Sequence, residues 1–366
     1  MRLGRLIEAT NAFLFLLPFL LFLAVFVGYG VVRTVYFSLT DYNLFDPPKW
    51  VGFQNYVRLF REPDFIRALQ HSLAFTLVVT VVQTLFSLLL ATVLNQRIRG
   101  ITFFRTVYYL PSVLSSAAIT LIFLWLYQKT GFLNFAVSWV LTYLPLLLTF
   151  VGLFVVVQAV QVVFERSRGL PAKPFDPALA TASLLLAAAG TFALDLFGVV
   201  NPREGVQFKF IWLNTRQEWA GLPIPLWAIV LQNIYTTIPT LMLIYLAGLQ
   251  DIPKSLYEAA SLDGADDWQQ FTRITVPMLR PVTFLVITLG LIGTLQVFDQ
   301  VALISGPGGA PLESTVTLAY YVYNNVFPSG ATPKVGLASA AAITLSVLTL
   351  VVVLLQRRFG VSERGY

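Results

Sequence analysis

Eight long stretches of the chain carry no Asp, Glu, Lys or Arg: Ala12–Val32, Ser72–Leu94, Thr106–Gln128, Thr130–Phe164, Pro177–Leu194, Ala220–Gln250, Pro281–Phe298 and Val335–Gln356. A helix needs about 20 apolar residues to cross a hydrocarbon core about 30 Å thick. The longest runs include loop residues and are read as one span each, so the pattern predicts an all-α polytopic membrane protein with eight transmembrane helices. Membrane β-barrels show short segments of alternating polarity, and these runs do not alternate.

Composition agrees. Charged residues make up 11% of the chain and apolar residues 57%, with a mean hydropathy of +0.75. The first run follows Arg2 and Arg5, as in a signal peptide, but its length and the lack of an A-x-A-like site predict a retained anchor. There is no cysteine, which excludes disulfides and thiolate metal sites, and the single histidine, His71, cannot make a metal site by itself. It precedes a span and is expected at the interface.

The net charge of +6 is explained by cationic cytoplasmic loops and gives no reason to expect a nucleic-acid partner. With both termini in the cytoplasm, fourteen basic residues fall inside (Arg97, Arg99, Arg105, Arg166, Arg168 and Lys173 among them) and ten outside. The inner loops are the shorter and the denser in charge, which favours this orientation.

One interruption is patterned. In "KSLYEAASLDGADDWQQFTRITVPMLRP", Lys254 to Pro281, the carboxylates of Glu258, Asp263, Asp266 and Asp267 are mixed with small residues between two uncharged runs. Asp251 and Pro253 read as a helix start and Gly264 as its stop. Asp266 or Asp267 can cap a second helix carrying Trp268, Phe271 and Ile274. Small residues at Ala259, Ala260, Gly264 and Ala265 would let another backbone approach, with Glu258 and Asp263 offering acceptors to a basic partner. A solvated interhelical loop is the competing reading.

The stretch closely resembles the EAA motif of ABC-importer permeases, E-A-A-x-x-D-G-A followed by F, I, P and P, matched by Glu258, Ala259, Ala260, Asp263, Gly264, Ala265, Phe271, Ile274, Pro277 and Pro281. Other segments resemble the maltose/glycerol-3-phosphate (carbohydrate uptake) type. Trp50, Gly52, Asn55 and Tyr56 match W-x-G-x-x-N-Y, "GLASAAAITL" matches the start of the last helix, and Gly306-Pro307-Gly308-Gly309 is an altered G-G-P loop. The resemblance implies a six-helix type I importer core with residues 254–266 as a coupling helix seated in an ATPase subunit.

Between the G-x-x-N exit (Gly131 to Asn134) and "IWLNTRQEWA" an insertion of about 70 residues intervenes. Its two apolar runs are joined by the basic "ERSRGLPAKPFD". A spanning hairpin fits, because an even number of added helices keeps the coupling loop on its side. The expected organisation is 1–137 and 209–356 as the two parts of the core, 138–208 as the hairpin and 357–366 as a cytoplasmic tail. Asp195 is expected near the outer end of the hairpin.

A path for neutral polyols needs hydrogen-bonding groups and aromatic faces. "LQNIYTTIP" concentrates such groups ahead of Pro239, which is expected to loosen the helix locally. By similarity, sugar-lining positions fall on Asn233, Tyr235, Thr236, Thr237 and Thr240, on Ser112 and Ser116, and on Thr294 with Val297, where a polar residue is expected and Gln296 is the neighbouring substitute. Ser and Thr also back-bond within their own helix, and Asn or Gln can link helices.

No Walker A follows "GPGG", so ATP and Mg belong at partner ATPase subunits and this chain holds no cofactor and no metal. The reading implies a second, homologous permease subunit, two ATPase subunits, a periplasmic or extracellular sugar-binding protein and the lipids of a prokaryotic plasma membrane. An ion-coupled secondary transporter would place ionisable residues deep in the spans. An intramembrane enzyme would need a catalytic pair. Neither alternative accounts for the EAA motif.

Overall fold

A computed structural model describes residues 2–96, 100–169, 173, 176–306 and 314–359. Arg97, Arg99, Arg364, Pro307, Gly308, Gly309, part of the basic connector and residues 360–366 of the tail lie outside the described residues.

The chain folds into helices joined by loops, with two antiparallel ladders of two residues per strand. Among the described residues seven helices are long and apolar enough to cross a membrane, and a bent pair adds an eighth when counted as one span. The spans start where the backbone permits it. Proline lies in the first turn of Pro63–Leu94, Pro177–Leu196, Ile224–Gln250 and Arg280–Leu295, where a missing N–H is no loss. Asp176 caps the second of these by accepting the Ala178 N–H at 3.0 Å.

The third span is not one rod. Ile101–Val113 and Ser116–Leu126 meet at 97°. Pro111 lies inside the first half, Leu114 is extended (ψ 149°), and the Ser115 hydroxyl accepts the Ala118 N–H at 3.2 Å as the second half begins. Pro239, by contrast, breaks nothing, and Ile224–Gln250 runs through it as continuous helix. The proline loosening expected in the sixth span belongs to the third.

Two compact units emerge, one of residues 1–123 with 213–366, the other of residues 124–212. In the first, Pro63–Leu94 packs on Ile224–Gln250 and on Arg280–Leu295. Phe65, Phe75, Leu226, Ile229 and Leu295 form one buried cluster, and Ala91, Met242, Tyr245, Leu279 and Val286 a second. The last span, Val335–Phe359, packs on Tyr29–Ser38 and on the short helix Leu318–Val326.

The motifs of this unit have structural reasons. Asn55 donates to the carbonyls of Ser38 and Thr40 at 3.0 and 2.8 Å, and the Tyr56 hydroxyl donates to Ser38 Oγ at 2.9 Å. Gly336 lies against that knot, and a Cβ there would stand 2.1 Å from the Thr40 carbonyl oxygen. His71 lies within the second span, with its Nδ1 3.2 Å from the Val316 carbonyl oxygen.

The second unit holds Phe132–Ser167 and Pro177–Leu196 packed as a hairpin. Ser183 donates toward Gln158 (2.7 Å) and Gln161 (3.1 Å), the buried polar tie of an otherwise apolar pair. Asn134 closes the unit, donating to the carbonyls of Lys129 and Phe210 and accepting from Trp212 Nε1 at 3.0 Å. Asp195 is half-buried in the last turn of the Pro177–Leu196 helix.

Candidate coupling segment and polar seam

The patterned interruption forms a short helix, Lys254–Leu262, a tight turn, and a second helical start at Asp267. Gly264 adopts φ +80°, the left-handed conformation that disfavours residues with a Cβ. Around it the Gly264 N–H donates to the Ser261 carbonyl at 3.1 Å and the Ala265 N–H to the Ala260 carbonyl at 2.9 Å, the paired bonds of a Schellman stop. Asp266 then opens a capping box: its carboxylate accepts the Gln269 N–H at 2.7 Å and its own N–H donates to Gln269 Oε1 at 3.2 Å.

Gln270 braces the turn by donating to Ser261 Oγ (3.0 Å) and the Ala265 carbonyl (3.1 Å). Tyr257 and Thr275 share a hydrogen bond of 2.9 Å, which ties the short helix to the segment returning to the next span. The segment is therefore held as one piece.

Its outer surface is open. Glu258, Ala259, Asp263 and Gly264 are exposed, while Ala260 and Ala265 are half-buried. Leu262 is 89% exposed and Trp268 71%. Two large apolar side chains on a braced turn, with carboxylates beside them, make a surface suited to a protein partner.

The pathway candidates divide. Asn233, Thr237 and Thr294 join a buried seam between spans. Asn233 donates to Gln300 Oε1 at 3.0 Å, Thr237 to Gln83 Oε1 at 2.7 Å, and the Thr294 and Thr80 hydroxyls lie 3.3 Å apart. Gln232 extends the seam to Thr120 at 2.6 Å. Gly290 makes room for it, since a Cβ there would stand 2.4 Å from Gln83 Nε2. Gln232 Oε1 and Asn233 Oδ1 are buried acceptors that no hydrogen bond satisfies in this structure.

Tyr235, Thr240 and Gln296 instead lie on exposed faces. Ser112 back-bonds to the Tyr109 carbonyl at 2.8 Å, and Thr236 to those of Gln232 and Asn233. Ser116 lines a separate cleft. Gln296 therefore does not stand in for the buried Val297 beside Asn233. Gln300, one turn further on, faces it. Thr80, Gln83, Thr120 and Gln300 were the seam residues missed; for Gln83 the signal was an amide within a long uncharged run, whereas Gln300 directly follows Asp299 and carried no such signal. Among the described residues no group of three or more His, Asp or Glu side chains is placed to hold a metal.

These features define the class, a multi-pass membrane protein with an exposed, braced segment between its sixth and seventh spans. Residues 176–362 match the family model for the binding-protein-dependent transport system inner membrane component, and the chain belongs to that family. It is 29% identical over 323 residues to the lactose transport system permease protein LacF of Rhizobium radiobacter, covering 87% of this chain and 84% of that one. It is 28% identical over 351 residues to the probable ABC transporter permease protein YurN of Bacillus subtilis (95% and 94%), and 27% over 349 residues to the trehalose/maltose transport system permease protein MalF of Thermococcus litoralis (95% and 91%). A chain of a bacterial ABC transporter for the acidic polysaccharide alginate shares the fold at a TM-score of 0.65 and 22% identity, over 98% of each chain. A second structure of a bacterial alginate ABC transporter, in complex with an alginate pentasaccharide-bound periplasmic protein, matches at 0.66 and 22% over the full length of both chains.

Proposed function

We propose that this chain forms half of the translocation path of a sugar importer, beside a homologous permease subunit, and couples it to two ATPase subunits through residues 254–266. The carrying observation is the exposed pair Leu262 and Trp268 on a turn rigidified by the Gly264 stop and the Asp266 capping box. ATP and Mg act on the partner chains, and closure of those chains pushes on the coupling segment. Both termini and this segment face the cytoplasm, the orientation that the basic loops favour. A sugar-loaded binding protein then docks on the opposite side, near residues 40–70 and 306–334.

The names of the relatives support a saccharide as cargo. So do polar residues of the sixth and seventh spans: Tyr235 and Thr240 are exposed on the sixth-span helix and Gln296 just past the helix that ends at Leu295, a placement that makes sense against a water-filled path or a partner subunit. The buried seam, including Asn233, Thr237 and Thr294, supplies the deeper polar contacts; Ser112, Ser116 and Thr236 are further pathway positions, Ser116 in its own cleft.

Because the chain has no cysteine, a single introduced thiol is unique. Leu262→Cys bearing a short photo-cross-linker should capture the ATPase subunit in membranes, and the same probe at Ser329→Cys should not. Equal capture at both positions would contradict the assignment of the coupling face.

A further inference from the structure

A cleft of about 680 Å³ opens between the break in the third span and the end of the seventh. That volume falls within the roughly 300–1,000 Å³ of small-molecule sites. Phe298, Tyr323 and Phe327 line it as a row of rings, with centroids 5.0 Å apart for the first pair and 5.3 Å for the second. Tyr323 and Phe327 are exposed, so their faces and edges are available to a ligand. Ser116 and Asn324 add hydrogen-bonding groups, and Asp299 is the one charged residue among the described residues lining the cleft.

Aromatic rings beside hydroxyl and amide groups suit the two kinds of surface a pyranose offers, its C–H faces and its hydroxyl rim. The carboxylate adds a sign. Within a partly enclosed cleft a like charge is opposed and a cation favoured, while a neutral saccharide is accepted through hydrogen bonds to the carboxylate. We propose that this cleft is a saccharide-binding mouth and that Asp299 selects at it against uronate chains and for neutral or amino sugars. The inference rests on the importer reading above and names the substrate class within it.

The test uses the assembled transporter in nanodiscs without binding protein, so that only the membrane subunits choose. Saturation-transfer NMR would compare maltotriose, trigalacturonate and the glucosamine trimer on wild type, Asp299→Asn and Asp299→Lys. In wild type, the neutral and cationic trimers should bind about tenfold or more tighter than the anionic one, and the margin should shrink as salt rises from low ionic strength. Asp299→Asn should remove most of the margin and Asp299→Lys reverse it. Trigalacturonate binding wild type as well as maltotriose, no trimer binding at all, or variants that leave the ratio unchanged would overturn the proposal. ATP turnover of the wild-type complex, measured in the same samples with binding protein added back, separates the failures. Stimulated turnover with no selectivity sinks only the role of Asp299, whereas a permease that retains no ATPase sinks the importer reading beneath it.

Discussion

Asn55 shows how one side chain can hold a junction. It is 2% exposed, and its amide satisfies two carbonyls at the end of the first span, beside the close approach of Gly336. Asn55→Ala strands those acceptors, at a cost on the order of 2 kcal/mol. The variant should therefore unfold at a lower temperature in detergent, and an unchanged midpoint would show that water replaces the amide. Tyr321 makes a different kind of contact. Its hydroxyl donates to Glu62, and burial first, then that bond and the carboxylate charges of Glu62 and Asp64, push the phenol above its ordinary range. The phenol thus stays a neutral donor throughout the physiological pH range.

At the scale of elements, polar side chains do the joining that a hydrophobic effect cannot do in lipid. The second, third, sixth and seventh spans are stitched by Gln83, Thr120, Gln232, Asn233 and Gln300. Gly290 gives Gln83 its room, so Gly290→Ala forces the amide aside and overpacks the seam. A loss of about 1–3 kcal/mol is expected, read as a lower apparent melting temperature of the purified chain. Gly293→Ala, on the same helix with open space around it, should leave the midpoint near wild type.

The spans themselves were legible because lipid demands long uncharged runs, and Gly264 because a helix stop needs positive φ. The partner of Asn233 was not legible. Helix ends at Leu295 and restarts at Asp299, so the phase resets across the gap and Gln300, not Gln296, faces inward. Nor was the 97° break, since one proline at 111 and one at 239 look alike in sequence. Only Leu114 and Ser115 decide that the chain turns at the first. The expected insertion, 138–208, falls within a compact unit that also takes in Asn134 and Trp212, residues joined by a hydrogen bond across 78 positions of sequence.

For the whole molecule, the central claim is that a membrane-embedded body of helices is driven from one exposed segment by a separate ATPase. In the proposed function the capped and braced turn transmits force, the exposed Leu262 and Trp268 grip the partner, and the seam gives the spans a defined packing to rearrange. The most direct test is co-purification from nanodiscs of tagged wild type, Glu258→Lys and Gly264→Trp, followed by ATP turnover with sugar-loaded binding protein added. Gly264→Trp places a bulky Cβ-bearing residue at φ +80°, and Glu258→Lys inverts a charge on the exposed face. Wild type should retain an ATPase whose turnover the loaded binding protein stimulates, and both variants should lose that stimulation. A wild-type chain that recruits no ATPase, or variants that keep full stimulation, would contradict the account.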